Sequence, residues 1–83
     1  RATATTSLAI GPSAFTDAES AIAIGQNSKA FGTQSIAQGN DARANDNGSI
    51  ALGDGTTATG IDAIAQGKGS TANGPAAVAI GTT

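Results

Sequence analysis

The sequence predicts an all-β protein, a parallel β-roll solenoid of about six 14-residue coils, and three observations lead there. A five-residue phrase recurs at one fixed spacing. Residues within the phrase alternate with period two, the signature of a strand. The composition also lacks what a globular core needs. Its 83 residues include 12 Gly and two Phe, with no Cys, His, Met, Trp or Tyr.

The phrase is the first element of each coil. It reads Ser7-Leu8-Ala9-Ile10-Gly11, Ala21-Ile22-Ala23-Ile24-Gly25 and Ser35-Ile36-Ala37-Gln38-Gly39. It continues as Ser49-Ile50-Ala51-Leu52-Gly53, Ala63-Ile64-Ala65-Gln66-Gly67 and Ala77-Val78-Ala79-Ile80-Gly81. The starts fall at 7, 21, 35, 49, 63 and 77, so every step is 14 with no insertion. Such self-similarity is the mark of a repeat architecture. The closing Gly suits a turn that needs positive φ or close backbone approach. A helix is excluded by glycines every few residues, each costing about 1 kcal/mol there.

The second element is a weaker strand. Two columns of small residues mark it: Ala14, Ser28, Ala42, Thr56 and Ser70, then Thr16, Ala30, Ala44, Ala58 and Ala72. Gly32, Gly60 and Gly74 follow in three coils and mark the second turn. At roughly 3.3 Å per residue the perimeter of one coil is about 46 Å, enough for two strands of about five residues and two tight turns. A three-sided helix of hexapeptides needs about 18 residues per coil. The expected form is therefore a flat, two-sided roll, its coils stacked about 4.8 Å apart over roughly 29 Å.

The alternation assigns the faces. Ala9, Ala23, Ala37, Ala51, Ala65 and Ala79 form a column with no exception and are expected in the roll interior, where the opposite sheet is close. Leu8, Ile22, Ile36, Ile50, Ile64 and Val78 then point outward, as do Ile10, Ile24, Gln38, Leu52, Gln66 and Ile80. The alternative fills the roll with Ile and Leu and turns Ala outward, which leaves the uniform Ala column unexplained. Burying an aliphatic side chain is worth roughly 1.5–3 kcal/mol, and an exposed stripe of ten is too large for a soluble monomer. The outward ladder is thus expected to face other copies of the chain. Gln38 and Gln66 interrupt it. They either make a local polar contact near solvent or hydrogen-bond around the assembly axis and fix its register.

Charge and composition exclude several function classes. Six acids against four bases give a net charge of −2, which argues against nucleic acid and against an anionic membrane surface. No apolar run reaches the roughly 18 residues of a membrane span. Without His or Cys, Ser-His-Asp and Cys-His catalysis and the common soft-metal sites are impossible within one chain. No catalytic residue, cofactor or metal ligand is expected. Asp41, Asp46, Asp54 and Asp62 occupy different turn positions and read as solvated turn residues. Gly67-Lys68-Gly69-Ser70 fails as a phosphate loop, because Asp62 stands where the first Gly belongs and Gly69 follows the Lys. The nine-residue period of calcium-binding solenoids is missing.

The phrase Ser-Ile-Ala-Leu-Gly at 49–53, followed by small-residue columns and repeated at the same step throughout, resembles the head repeats of trimeric autotransporter adhesins, the YadA-like surface proteins of Gram-negative bacteria. The resemblance covers essentially the whole chain. It implies a left-handed roll in each subunit and a homotrimer whose core is the ladder from Leu8 and Ile10 to Val78 and Ile80. It also implies a longer protein with a signal peptide, a coiled-coil stalk and a β-barrel outer-membrane anchor. The function implied is adhesion to host cells or to matrix proteins of the collagen, fibronectin or laminin class, with no direct membrane contact by this segment. Residues 1–83 accordingly read as one stretch of head repeats, cut mid-repeat at both ends of a longer array. Pro12 after the first phrase and Asp46 in a column that elsewhere holds Gly depart from the simplest repeat, and both fall at turns.

Ligand contact has the thinnest support in the residues. Phe15, Lys29, Phe31 and Arg43 project outward from the second strand, with Phe15 and Phe31 diagonally placed on adjacent coils. They either touch a partner or pack against a neighbouring subunit or turn. A spacer role in a surface fibre and ice binding by a flat Thr-rich face are the competing functions. Thr57 and Thr59 suit the latter, but no regular Thr ladder follows.

Overall fold

A computed structural model describes residues 6–81. They form about five turns of a parallel β-solenoid with eleven short strands and no helix. Odd-numbered strands carry the phrase: β1 (Leu8–Ile10), β3 (Ile22–Ile24), β5 (Ile36–Gln38), β7 (Ile50–Leu52), β9 (Ile64–Gln66) and β11 (Val78–Ile80). Even-numbered strands carry the small columns: β2 (Phe15–Thr16), β4 (Lys29–Ala30), β6 (Arg43–Ala44), β8 (Thr57–Ala58) and β10 (Thr71–Ala72). The odd strands make one six-stranded sheet in chain order and the even strands a five-stranded one. Pairing is parallel and one repeat out of step in sequence, so Leu8 lies beside Ile22 and Ala9 beside Ala23.

The strands have three and two residues, shorter than the five expected, because the turns take more of the coil. Each turn is closed by a hydrogen bond across four residues: the Ser28 N–H donates to the Gly25 carbonyl at 3.2 Å, and the Ala77 N–H to the Gly74 carbonyl at 3.0 Å. The third residue of each turn has positive φ, as at Asn27 (61°) and Ala76 (59°), a mark of the type II turn. Pro12 and Pro75 occupy the second position, where their fixed φ fits. Pro12 is therefore at home in the fold. Asp46 opens its turn, its carboxylate accepting the Asn47 N–H at 2.8 Å.

Ordinary residues hold these left-handed positions because the turns are part of the coil-to-coil ladder. The N–H of Asn27 donates to the Pro12 carbonyl (3.0 Å), and the Asp41 N–H to Gln26 (2.9 Å). On the other edge the Gln34 N–H donates to Glu19 (3.0 Å) and the Ala76 N–H to Ile61 (2.8 Å). Each such bond offsets part of the strain, about 1 kcal/mol or more for a non-glycine residue. The phrase-closing column is different. Gly39 has φ of 131°, and a Cβ there would lie 2.6 Å from the Gly53 carbonyl carbon. Glycines stack on glycines at that corner, so backbone touches backbone.

The interior is thin and made of small side chains. Ala23, Ala37, Ala51 and Ala65 of one sheet and Ala30, Ala44 and Ala58 of the other have no exposed surface. The end-coil members Ala9 and Ala79 are half-buried against them. Thr16 and Thr56 are the largest fully buried side chains. The molecule measures 30 × 22 × 11 Å, its length agreeing with the expected stack. Isoleucine inside so narrow a roll would force the sheets apart, so the arrangement with Ala outward is not adopted. Buried hydroxyls tie down the turns: Ser35 Oγ donates to the Gly32 carbonyl at 2.6 Å and Thr56 Oγ1 to the Gly53 carbonyl at 2.9 Å. Buried polar atoms need such partners.

Candidate interaction surfaces

The roll has two broad outer faces, and they differ. On the six-stranded sheet each three-residue strand turns its centre inward and its ends outward, as pleating requires. Leu8, Ile22, Ile36, Ile50, Ile64 and Val78 line up in register as one outer ladder; Ile10, Ile24, Gln38, Leu52, Gln66 and Ile80 form the other. Residues in middle coils are half-covered by the rungs above and below. At the end coils Leu8 is 45% exposed and Ile80 73%. Gln38 and Gln66 are exposed, and each sits between apolar neighbours, Ile24 and Leu52 for the first, Leu52 and Ile80 for the second. No other element among the described residues covers this face.

The five-stranded sheet presents a mixed face. Phe15, Lys29, Arg43, Thr57 and Thr71 form one outward column in register. Phe31 follows β4 and is 39% exposed. The Phe15 and Phe31 rings meet edge to face, their centroids 5.9 Å apart at 66°, a favoured aromatic geometry. Lys29 lies between Phe15 and Arg43 on successive rungs. The four side chains thus share one end of this sheet, whereas Thr57, Thr59, Thr71 and Asn73 occupy the other.

One exposed residue escaped the sequence reading. Ile61 projects from the second turn and is 51% exposed. The equivalent residues of other coils are Glu19, Thr33, Asn47 and Pro75, so a large apolar side chain in that column was the available signal. Among the described residues there is no cavity, and no group of three or more His, Cys, Asp or Glu could hold a metal ion. What this geometry offers is extended flat contact.

The family model for the YadA head domain repeat (2 copies) matches residues 2–28, 30–56 and 58–83. Successive matches therefore tile nearly the whole chain in steps of two coils. No curated protein matches it.

Proposed function

Because the chain belongs to the YadA head-repeat family, the head segments of trimeric autotransporter adhesins, we propose that it works as a non-catalytic adhesive head on the bacterial surface. Three copies wind as left-handed rolls about a common axis. Their trimer core is the outer ladder of the six-stranded sheet, from Leu8 and Ile10 to Val78 and Ile80. A stalk and an outer-membrane β-barrel of the same protein hold the head away from the cell. The five-stranded sheet faces outward and meets a host cell-surface or matrix protein of the collagen, fibronectin or laminin class.

The observation that supports this reading most is the apolar ladder on one outer face, interrupted at Gln38 and Gln66 and exposed at both ends of the roll. Self-association is the economical way to cover it. A ladder of ten aliphatic side chains is worth up to roughly 15–30 kcal/mol per chain if fully buried. The outward sheet supplies shallow contact, and many weak contacts repeated over three copies give adhesion by avidity. Phe15, Lys29, Phe31 and Arg43 are the candidates for direct contact, since aromatic and Arg side chains carry most binding energy at protein interfaces.

Light scattering together with binding to immobilised collagen, fibronectin and laminin tests the proposal. A trimeric mass and saturable binding, weakened several-fold by Phe15→Ala with Phe31→Ala, are expected. A stable monomer would overturn the assembly. A trimer that binds none of the three proteins would leave the segment as a spacer in a surface fibre, the reading favoured by the flatness of its described faces.

A further inference from the structure

A solenoid that docks on copies of itself has a translational problem. Coils about 4.8 Å apart present nearly the same outer ladder. Two copies can therefore slide past one another by a whole coil and still bury aliphatic side chains against aliphatic side chains. Shifted contacts do not close into a ring; they generate an open, staggered fibre. Neither the Ala column nor the Gly column opposes the shift, since both lie within the chain and repeat in every coil.

We propose that Gln38 and Gln66 set the translational register of self-assembly, an inference that rests on the trimeric reading above. The ladder to which they belong runs Ile10, Ile24, Gln38, Leu52, Gln66, Ile80, one residue per coil in register. Both glutamines are exposed in the single chain, and among the described residues neither carboxamide has a hydrogen-bond partner within its own chain. At zero shift Gln38 meets Gln38 and Gln66 meets Gln66, and each carboxamide has both a donor and an acceptor to offer its copies. A shift of one coil sets Gln38 against Ile24 or Leu52, and Gln66 against Leu52 or Ile80. Every carboxamide then faces an aliphatic side chain and is buried without a partner. A shift of two coils aligns Gln38 with Gln66 but strands the other Gln38 against Ile10, and it also gives up two coils of overlap. The apolar Leu52 between the two polar rungs is what makes the one-coil shift fail at both positions. An unsatisfied buried amide lowers a state's population by about tenfold or more. The polar rungs thus weaken the interface slightly and make one alignment the only good one, as a buried polar residue does in a coiled coil.

The chain has no Cys, so introduced cysteines report alignment cleanly. Chains carrying Ile22→Cys are mixed with chains carrying Ile50→Cys, unfolded, refolded together and oxidised. The two positions are two coils apart, about 9.6 Å along the axis, too far for a disulfide between aligned copies, whose Cα atoms must come within about 7 Å. A bridge between equal positions fits zero shift or a shift of one coil, about 4.8 Å; a bridge from 22 to 50 requires slippage of at least one coil. With native glutamines, only equal-position bridges are expected. In the Gln38→Ile, Gln66→Ile background, the 22-to-50 bridge should rise by about tenfold or more, with mass spreading above that of a trimer. A trimeric mass with equal-position bridges alone in that background would overturn the role of the glutamines while sparing the trimer. A monomeric mass in both backgrounds would overturn the trimer and the register with it.

A second variant guards against misfolding of the first. Moving the pattern by one coil (Ile24→Gln, Gln38→Ile, Leu52→Gln, Gln66→Ile) keeps two polar rungs and nearly the same composition. It should assemble with itself in register and meet the native chain only one coil out of step, the offset that brings polar rungs together, so that a Cys at position 22 of the variant bridges to a Cys at position 50 of the native chain. Mixed assemblies of the two that lack this bridge would overturn the proposal.

Discussion

The two sheets of the roll share one kind of inner face and have opposite outer ones. Inside, both are built from Ala, Ser and Thr with almost no exposed surface. Outside, the six-stranded sheet repeats Ile, Leu and Val with two glutamine interruptions, while the five-stranded sheet changes from Phe15 through Lys29 and Arg43 to Thr57 and Thr71. Regularity on an outer face is costly to keep unless every rung meets the same environment, which a copy of the same molecule provides. A face that meets a different molecule is under no such demand. The contrast between the sheets therefore suits the six-stranded sheet to the self-contact proposed above and the five-stranded sheet to contact with a different molecule.

Five substitutions break or sharpen that contrast, in falling order of effect. Leucine at the inner face should be equally harmful in either sheet: Ala51→Leu and Ala58→Leu both lower stability by about 3 kcal/mol or more by overpacking, measured by urea unfolding. A large difference between them would mean the two inner faces are not equivalent. At the outer ladder, Ile50→Ser should cost about 2 kcal/mol per chain and do so through assembly. Its mass should fall on dilution at concentrations where the native chain remains associated. Ser35→Ala removes the hydroxyl bond to the Gly32 carbonyl and should cost at most about 1 kcal/mol. The Ser35 N–H still reaches that carbonyl at 3.1 Å, and Ala21 and Ala63 serve the same column unaided. On the opposite outer face, Thr57→Ser should change stability by less than about 0.5 kcal/mol and leave the mass untouched. A change in mass there would place self-contact on both faces.

Much of this was legible from spacing. One constant step between six phrases and a column occupied by Ala alone determine which side of β1, β3 and the rest turns inward, because only small residues fit an 11 Å slab. The turn conformations were not legible. Thr6, Ser20, Gln34, Asp62 and Ala76 all hold positive φ, and no residue preference marks them. The coil-to-coil hydrogen bonds of those turns override local propensity, a tertiary effect that no short window of sequence displays. Strand length was misjudged for the same reason. At the outward sheet, the diagonal placement of Phe15 and Phe31 anticipated their contact, but Ile61 was overlooked because its column is otherwise polar or proline. No ligand is legible in the pattern: a flat face offers no constellation of chemical groups to recognise.

The uniform corner of stacked glycines has a genetic consequence. Every coil uses the same number of residues, hence the same whole number of codons, and each coil rests only on its neighbours. Gain or loss of one such unit by replication slippage restores every column, whereas an insertion that displaces a corner Gly brings a Cβ into the Gly-on-Gly contact. Reach can therefore be inherited in whole steps of about 4.8 Å. In the trimer proposed above all copies come from one gene, so the polar rungs would shift together and the alignment would survive the change in length.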